Sequence, residues 1–290
     1  MANLKEIRTR ISSVQKTKQV TAAMKMVSAA KLKKAQDAIV QIRPYADKLH
    51  EILSHLTGSL IDSDDNLYGT ERKAEKVLLV AITSNKGLCG AFNANVIKQV
   101  NVLAETTYAE QNQKGGLSVL CIGKQGYEIL KKSLNVVGEH NHLYDDMNFE
   151  NVSEIATSIM DEFVVEKYDK VELVYNQFKN AGVQILTTEQ FLPVQQEEEE
   201  NHVQSDYIFE PNKEEIVSEL IPKSLKTQFF KAMLDSFASE HGARMTAMHK
   251  ATDNASDLIQ DLNLTYNKAR QAAITNEILE IVSGANALAQ

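Results

Sequence analysis

The chain has 290 residues, of which 43% are hydrophobic and 24% are charged, and its formal net charge is −8. This composition is typical of a soluble protein of about two domains and excludes disorder of the whole chain. No 18-residue stretch is apolar enough for a membrane span, and we expect no secretory signal. The two cysteines, Cys89 and Cys121, are too few for a disulfide framework or a zinc site, so we expect a reducing compartment.

Glycine and charge are distributed unevenly along the chain. Ten of the twelve glycines lie between residues 58 and 182, which predicts helical ends around a turn-rich middle. Residues 1–50 carry eleven basic and three acidic side chains, a net of +8, so the other 240 residues carry −16. This asymmetry predicts an electrostatic partner. We predict an N-terminal coiled-coil helix (1–58), an α/β domain (75–195), an acidic linker (196–211) and a C-terminal coiled-coil helix (212–290).

Apolar residues recur at helical spacing in the N-terminal segment. The first group is Leu4, Ile7, Ile11 and Val14, and after a polar stretch the pattern resumes with Val20, Ala23, Met24, Val27 and Ala30. About 50 helical residues would extend roughly 75–80 Å, which is more than the diameter of a small domain. Part of this helix is therefore expected to project or to pair with another helix.

The C-terminal segment provides a helix for that pairing. One heptad register, apolar at eight of its ten positions, runs through Met248, Ala251, Ala255, Leu258, Leu262, Thr265, Ala269, Ala272, Asn276 and Leu279. Alternating steps of three and four residues are typical of a coiled coil. We predict that the terminal helices form a long antiparallel coiled coil, a stalk of roughly 100 Å.

The middle of the chain has the pattern of an α/β domain. Continuous apolar runs predict buried strands at 77–82, 117–122, 171–175 and 183–192. Helical patterns at 93–110, 125–132 and 151–168 separate the first three strands. Strands that alternate with helices indicate βαβ units, so we predict a Rossmann-like α/β fold.

The loop SNKGLCG at 84–90 follows the first strand and precedes a helix, where α/β folds bind phosphate. Its spacing matches neither the dinucleotide fingerprint nor the phosphate loop, so a tight turn is the favoured interpretation. Cys89 in this loop is either a nucleophile or a packed thiol, and no histidine motif supports the nucleophile. His140 and His142, beside Asp145 and Asp146, lack the further ligands of a metal site. We expect no cofactor and no metal.

The N-terminal helix carries a cluster of lysines at 16, 18, 25, 31, 33 and 34. Nucleic acid is one candidate partner, but aromatic residues are not interleaved with the lysines and the protein is acidic overall. An acidic protein partner explains the cluster equally well. Two hypotheses remain at this point: a structural or torque-bearing coiled coil, and an enzyme with an active α/β domain whose stalk dimerises.

Several long motifs resemble one protein family. They are IRTRISSVQKT at 7–17, VTAAMKMV at 20–27, SNKGLCG at 84–90, ARM at 243–245, ATDNA at 251–255, YNKARQAAITNE at 266–277 and EIVSGA at 280–285. In this order they resemble the gamma subunit of F-type ATP synthase over essentially the whole chain. The acidic stretch 195–205 matches no family motif, and the two separate cysteines do not form a regulatory dithiol. The absence of a transit peptide favours a bacterial member.

The resemblance implies a rotor shaft without catalytic residues of its own. In that family, proton flow through the membrane ring turns the shaft, and the shaft drives ATP synthesis or hydrolysis in a hexamer of alpha and beta subunits. The implied partners are the alpha, beta and epsilon subunits and the c ring, with one shaft per complex and no nucleic acid. The implied location is the cytoplasmic face of the inner cell membrane, as a peripheral protein that is not inserted into the membrane.

The resemblance also implies subunit contacts at particular positions. Met24 and Lys25 match positions that face an acidic lever loop of the beta subunit, and Met24 is expected near Arg270 of the opposite helix. Further implied contacts with other subunits are Arg244, Arg270, Gln271, Thr275 and Glu277. A small apolar tip that turns in a hydrophobic sleeve is implied for Ala285, Ala287 and Leu288.

Overall fold

The computed structural model describes residues 4–57, 68–69, 72–194 and 213–288, and the predicted linker 196–211 lies outside them. Two compact units divide the chain: the first comprises Met1–Ser28 and Met245–Gln290, and the second is Ala29–Arg244. The elements in chain order are α1 (Leu4–Thr57), β1 (Val77–Ile82), α2 (Phe92–Glu105), α3 (Ala109–Gln113), β2 (Leu117–Ile122), α4 (Lys124–Leu130), β3 (Val136–Glu139), a 3₁₀ turn (His142–Tyr144), α5 (Phe149–Val164), β4 (Lys170–Asn180), β5 (Val183–Leu192) and α6 (Lys213–Leu288).

In the first unit, α1 and α6 pair in antiparallel orientation. The guanidinium of Arg8 donates a hydrogen bond of 2.7 Å to the hydroxyl of Tyr266. Further along the pair, the hydroxyls of Thr21 and Thr252 lie 2.8 Å apart. Rising numbers on α1 therefore meet falling numbers on α6, which confirms the predicted antiparallel coiled coil.

The α1 side of this seam differs from the predicted apolar stripe. Val20 and Val27 are each 58% exposed, so most of the residues expected to resume the stripe face outward, and Met24 alone among them is half-buried. The seam instead keeps the heptad that starts at Leu4, and its positions are buried or half-buried. They are Leu4, Ile7, Ile11, Val14, Lys18, Thr21, Lys25 and Ser28. Continuity of the helical period outweighs side-chain polarity here, because a straight pair of helices cannot change its contact face within one turn.

The α6 side of the seam keeps only alternate positions of the predicted register. The positions that follow one heptad spacing and are buried or half-buried are Met248, Thr252, Ala255, Ile259, Leu262, Tyr266, Ala269 and Ala273. The intervening predictions at Leu258, Thr265 and Ala272 were wrong, because these side chains are exposed. Ala251 is half-buried, but Thr252 rather than Ala251 meets Thr21. The predicted extension to Leu279 was also wrong, because Leu279 is 57% exposed.

The second unit contains a five-stranded sheet in the order β3-β2-β1-β4-β5. The first four strands are parallel, and β5 is antiparallel to β4 because only two residues connect them. This confirms the Rossmann-like α/β prediction, with β1 and β2 at the predicted residues. β3 was not predicted, because its four residues alternate between half-buried and exposed and so lack a continuous apolar run.

Both faces of the central strands are covered, which explains their continuous apolar sequence. Leu78, Val80 and Ile82 on β1 belong to a core cluster that includes Ile155 on α5 and Phe229 on α6. The alternate residues of β1 belong to a second cluster with α2, and its members include Val77, Leu79, Ala81, Val96 and Val100. The sheet is thereby fixed between helices, and the loops at its carboxyl edge are held in defined positions.

Candidate functional site

The loop 84–90 connects β1 to α2 at the carboxyl edge of the sheet, and side-chain hydrogen bonds hold it at several points. The backbone N–H of Ser84 donates to Oδ1 of Asn93 at 2.9 Å, and the Ser84 hydroxyl donates to the carbonyl of Lys86 at 2.7 Å. The amide of Asn85 donates to the carbonyl of Asn141, 2.9 Å away in the loop after β3. The loop is therefore tied both to α2 and to its neighbour at the same edge.

Backbone conformation at this edge restricts the residue type at two positions. Gly123, where β2 ends, has a φ of 101°, and a Cβ there would lie 2.1 Å from the carbonyl oxygen of Thr83. Leu88 has a φ of 63° and is 65% exposed. The left-handed region costs a residue with a side chain roughly 1–2 kcal/mol, so the surrounding contacts must hold Leu88 there.

A buried arginine on α6 binds the same loop. Arg244 is 6% exposed, and its Nη2 donates to the carbonyl of Lys86 at 2.7 Å. Its Nε and Nη2 each lie 3.3 Å from the carbonyl of Gly87, and its Nη1 donates to Oε1 of Glu240 at 2.5 Å. We call Arg244, Glu240 and the two carbonyls of Lys86 and Gly87 the Arg244 clamp.

The surroundings of the clamp are buried and polar. Burial raises the pKa of Glu240, and the neighbouring Arg244 opposes that rise. Burial lowers the pKa of His241 to about 3, and the positive charges of Arg244 and Lys31 add to the effect. Phe237 packs edge-on against the His241 ring at a centroid distance of 4.4 Å. The histidine is therefore neutral at physiological pH beside a charged pair.

The geometry of the loop bears on two functions considered from the sequence: phosphate binding by the loop and nucleophilic catalysis by Cys89. Two of its carbonyl oxygens point at the guanidinium of Arg244, whereas phosphate binding needs backbone N–H groups that face an open site. Cys89 is 1% exposed and burial raises its pKa, so its thiol is protonated at neutral pH. A nucleophilic cysteine needs the opposite shift. The loop carbonyls and the Cys89 thiol are therefore engaged in contacts within this chain.

The two loop histidines lie at the same edge of the sheet. The ring centroids of His140 and His142 are 5.7 Å apart, and burial lowers the pKa of His140. Within the part of the chain that the structure describes, no group of three or more His, Cys, Asp or Glu side chains is placed to hold a metal ion.

The residues matched by resemblance lie in both units. Arg270, Gln271, Thr275 and Glu277 are exposed on α6, whereas Met24 and Lys25 are half-buried on α1. Arg244 belongs to the second unit, where its partners are residues of this chain. Ala285 is exposed, and the side chains of Ala287 and Leu288 lie outside the described residues.

The predicted proximity of Met24 and Arg270 is wrong. The contact between Thr21 and Thr252 fixes the register of the two helices, and Arg8 meets Tyr266 in the same register. Met24 is three residues from Thr21, and Arg270 is eighteen residues from Thr252 in the other direction along the pair. At about 1.5 Å per residue the two side chains lie at levels roughly 30 Å apart.

The first unit has an exposed apolar surface that was not predicted from the sequence. Beyond Ala273, α6 carries five large apolar side chains that are at least 48% exposed: Ile274, Ile278, Leu279, Ile281 and Val282. On α1, the outward face includes Met26, which is 72% exposed, beside Val20 and Val27. Extension of the Leu4 heptad through its polar positions would have identified this outward face.

Comparison with known proteins identifies the family. The profile of the family described as ATP synthase matches residues 3–288. A protein of Christiangramia forsetii described as ATP synthase gamma chain is 59% identical over 288 residues, which is 99% of this chain and 99% of the relative. A Flavobacterium johnsoniae protein of the same description is 60% identical over 289 residues, with the same coverage. The chain belongs to the ATP synthase gamma-chain family.

Solved structures agree with the family assignment. The central stalk and c ring of Tetrahymena thermophila mitochondrial ATP synthase contain a chain with 26% identity and a TM-score of 0.59, covering 80% of this chain and 99% of that one. A chain from the Euglena gracilis mitochondrial ATP synthase, with 21% identity and a TM-score of 0.68, covers 98% and 94% and shows the shared fold. Among the residues that the structure describes, no helix has the length and apolarity needed to cross a membrane.

Proposed function

We propose that this chain is the central rotor shaft of a rotary ATP synthase and has no catalytic residues of its own. It couples proton flow through a membrane ring to ATP synthesis or hydrolysis in a hexamer of alpha and beta subunits. The observation that carries the proposal is the exposed apolar end of α6, which follows directly after the coiled-coil seam. An apolar helix end of this kind needs a surrounding protein surface to remove it from water.

The paired helices support a mechanical role. A shaft must resist bending, and α1 and α6 are continuous helices of 54 and 76 residues that bury a heptad seam between them in the first unit. The shaft acts as a moving ligand, because each beta subunit binds its successive orientations with different free energies. Arg270, Gln271, Thr275 and Glu277 are proposed to contact the catalytic subunits, and their side chains are exposed.

The α/β domain is proposed to face the epsilon subunit and the c ring at the cytoplasmic side of the inner membrane, with one copy of the chain per complex. Met24 and Lys25 are proposed contacts to the acidic lever loop of the beta subunit, together with the outward face of α1. We also propose that the rotor is divided into the four segments predicted from the sequence: the N-terminal helix (1–58), the α/β domain (75–195), the acidic linker (196–211) and the C-terminal helix (212–290). The competing enzyme hypothesis has less support, because the buried thiol and the clamped loop do not fit a catalytic centre.

The proposal is tested by assembly and hydrolysis. The chain alone should hydrolyse no ATP, and with alpha and beta subunits it should form a complex with one copy per three beta subunits. Ile274→Ser combined with Ile278→Ser and Ile281→Ser should weaken coupling of hydrolysis to proton transport. The control is Asn276→Ser with Glu280→Gln in the same exposed segment. ATP hydrolysis by the isolated chain, or coupling that is unchanged in the triple variant, would contradict the proposal.

A further inference from the structure

The attachment of α6 to the sheet combines two kinds of contact. Ile221, Leu225, Phe229 and Met233 on α6 are buried in the core cluster that covers one face of the sheet. Apolar contacts of this kind are non-directional, so they resist separation of the helix from the sheet more than they fix its rotation. In a rotor the rotation of the helix must also be fixed, because torque acts about the helix axis.

The Arg244 clamp provides directional contacts at the point where α6 leaves the second unit. All three guanidinium nitrogens are used: Nη1 on Glu240, Nη2 on the carbonyls of Lys86 and Gly87, and Nε on Gly87. Charge-assisted hydrogen bonds from a planar fork fix orientation as well as distance. Glu240 lies four residues before Arg244 on the same helix, so it holds the guanidinium toward the loop.

The loop at the other end of the clamp is firmly tied to the sheet. The Lys86 carbonyl that binds Arg244 also accepts the hydroxyl of Ser84, directly after β1. The hydroxyl of Tyr144 donates to the carbonyl of Thr83 at 2.5 Å, and its ring stacks on Phe237 of α6. The Arg244 clamp connects α6 to the loop after β1, and Tyr144 separately connects α6 to the residue that follows β1, through partly buried contacts.

We propose that Arg244 is a positioning residue that fixes the rotational orientation of α6 on the α/β domain, so that torque passes between the domain and the helix without slippage. This inference rests on the proposed rotor function. In this inference the buried Arg244 side chain acts through its contacts with Glu240 and the loop of the same chain. Lysine is not equivalent, since its single ammonium cannot bind Glu240 and both carbonyls in one plane.

The test uses complexes assembled with Arg244→Gln, Arg244→Lys or Arg72→Gln. Arg72 is the matched control, because it also donates to a backbone carbonyl, that of Phe163, away from the loop 84–90.

Two quantities are measured in complexes reconstituted in vesicles: amide hydrogen exchange in the loop, and protons pumped per ATP hydrolysed. With Arg244→Gln we expect at least tenfold faster exchange and at least a twofold lower pumping ratio, with hydrolysis retained. Arg244→Lys should be intermediate, and the control should match the wild type.

The outcomes separate this inference from the proposed function. Faster exchange with an unchanged pumping ratio would overturn the positioning role and leave the rotor function intact. A wild-type complex that neither assembles nor pumps would instead overturn the rotor function. If Arg244→Gln prevents folding, Glu240→Gln keeps the guanidinium and its carbonyl partners, and the inference then requires a reduced pumping ratio in that variant. An unchanged ratio in Glu240→Gln would also contradict the inference.

Discussion

The hydroxyl groups of Thr21 and Thr252 lie 2.8 Å apart across the antiparallel pair of α1 and α6. Each hydroxyl is also within hydrogen-bond distance of a carbonyl in its own helix, that of Lys18 for Thr21 at 3.0 Å and that of Met248 for Thr252 at 2.7 Å. This polar pair lies in a seam that also includes Lys18, Lys25 and Ser28. It fixes the register of the helices at a level where apolar packing is weak.

The threonine pair should show energetic coupling. Thr21→Val or Thr252→Val alone is expected to cost about 1 kcal/mol, because the remaining hydroxyl keeps only its carbonyl partner. The double variant should cost less than the two single costs combined, with a coupling of at least about 0.5 kcal/mol. Urea denaturation of the four proteins measures this cycle. Strict additivity would mean that the two hydroxyls do not interact.

Leu88 should be a position where glycine stabilises the protein. Its φ of 63° is unfavourable for a residue with a side chain, and its side chain is 65% exposed. Leu88→Gly is expected to raise the free energy of unfolding by about 1 kcal/mol. Leu88→Ala is the matched control, because it removes the same side chain but keeps the strain. Equal unfolding free energies in the two variants would show that the backbone is relaxed at this position.

His241 should make the protein sensitive to acid. Burial holds its folded pKa at about 3, whereas an unfolded histidine titrates near 6.5. Below pH 6.5 the unfolded state therefore binds more protons, and stability falls as the pH falls toward 3. The full loss amounts to roughly 4–5 kcal/mol. In thermal melts from pH 7 to pH 4.5, His241→Gln should lose less stability than the wild type, and a parallel loss would contradict this assignment.

Asp235 should stabilise the folded protein as the pH falls, which is the opposite of the effect of His241. Burial raises its folded pKa to about 6, and the charges of Lys231 and Arg43 only partly oppose that rise. The folded state binds more protons than the unfolded state between about pH 6 and pH 4, so this group stabilises the protein as the pH falls. Asp235→Asn should remove that gain, roughly 3 kcal/mol, and steepen the loss of stability in acid. A shallower acid profile in Asp235→Asn would refute the raised pKa.

The basic face of α1 should contribute to assembly in a salt-dependent way. Lys16 and Lys34 are exposed, and each ion pair with an acidic partner is worth about 0.2–1 kcal/mol. Lys16→Glu with Lys34→Glu should weaken assembly with alpha and beta subunits at low ionic strength, and the defect should shrink at high salt. Lys114→Glu with Lys132→Glu changes the charge equally on the α/β domain and serves as the control. Similar binding by both pairs at low salt would exclude the electrostatic contribution of α1.

The sequence was sufficient for the elements whose residues are apolar on all buried faces. β1 and β2 match their predicted bounds because both faces of each strand are covered. β3 was missed because its residues are only partly buried. The register of the coiled coil was missed at Thr252 because a polar residue there meets another polar residue, and a rule based on apolar residues prefers Ala251.

The candidate site, like the fold, was only partly predictable from the sequence. The loop 84–90 was found from its place between a strand and a helix, whereas its contact with Arg244 joins residues more than 150 positions apart. A contact at that separation depends on the tertiary fold. The expected proximity of Met24 and Arg270 failed for a related reason, because the pairing register of two long helices is set by contacts such as that of Thr21 with Thr252.

The rotor function is tested most directly by observing rotation. Cys89 and Cys121 are buried, so Lys132→Cys on the exposed surface of the α/β domain would place a probe at a single site. In an immobilised complex with alpha and beta subunits, single-molecule microscopy during ATP hydrolysis should show the probe turning continuously in one direction. Complexes that hydrolyse ATP while the probe keeps a fixed mean orientation would contradict the rotor function.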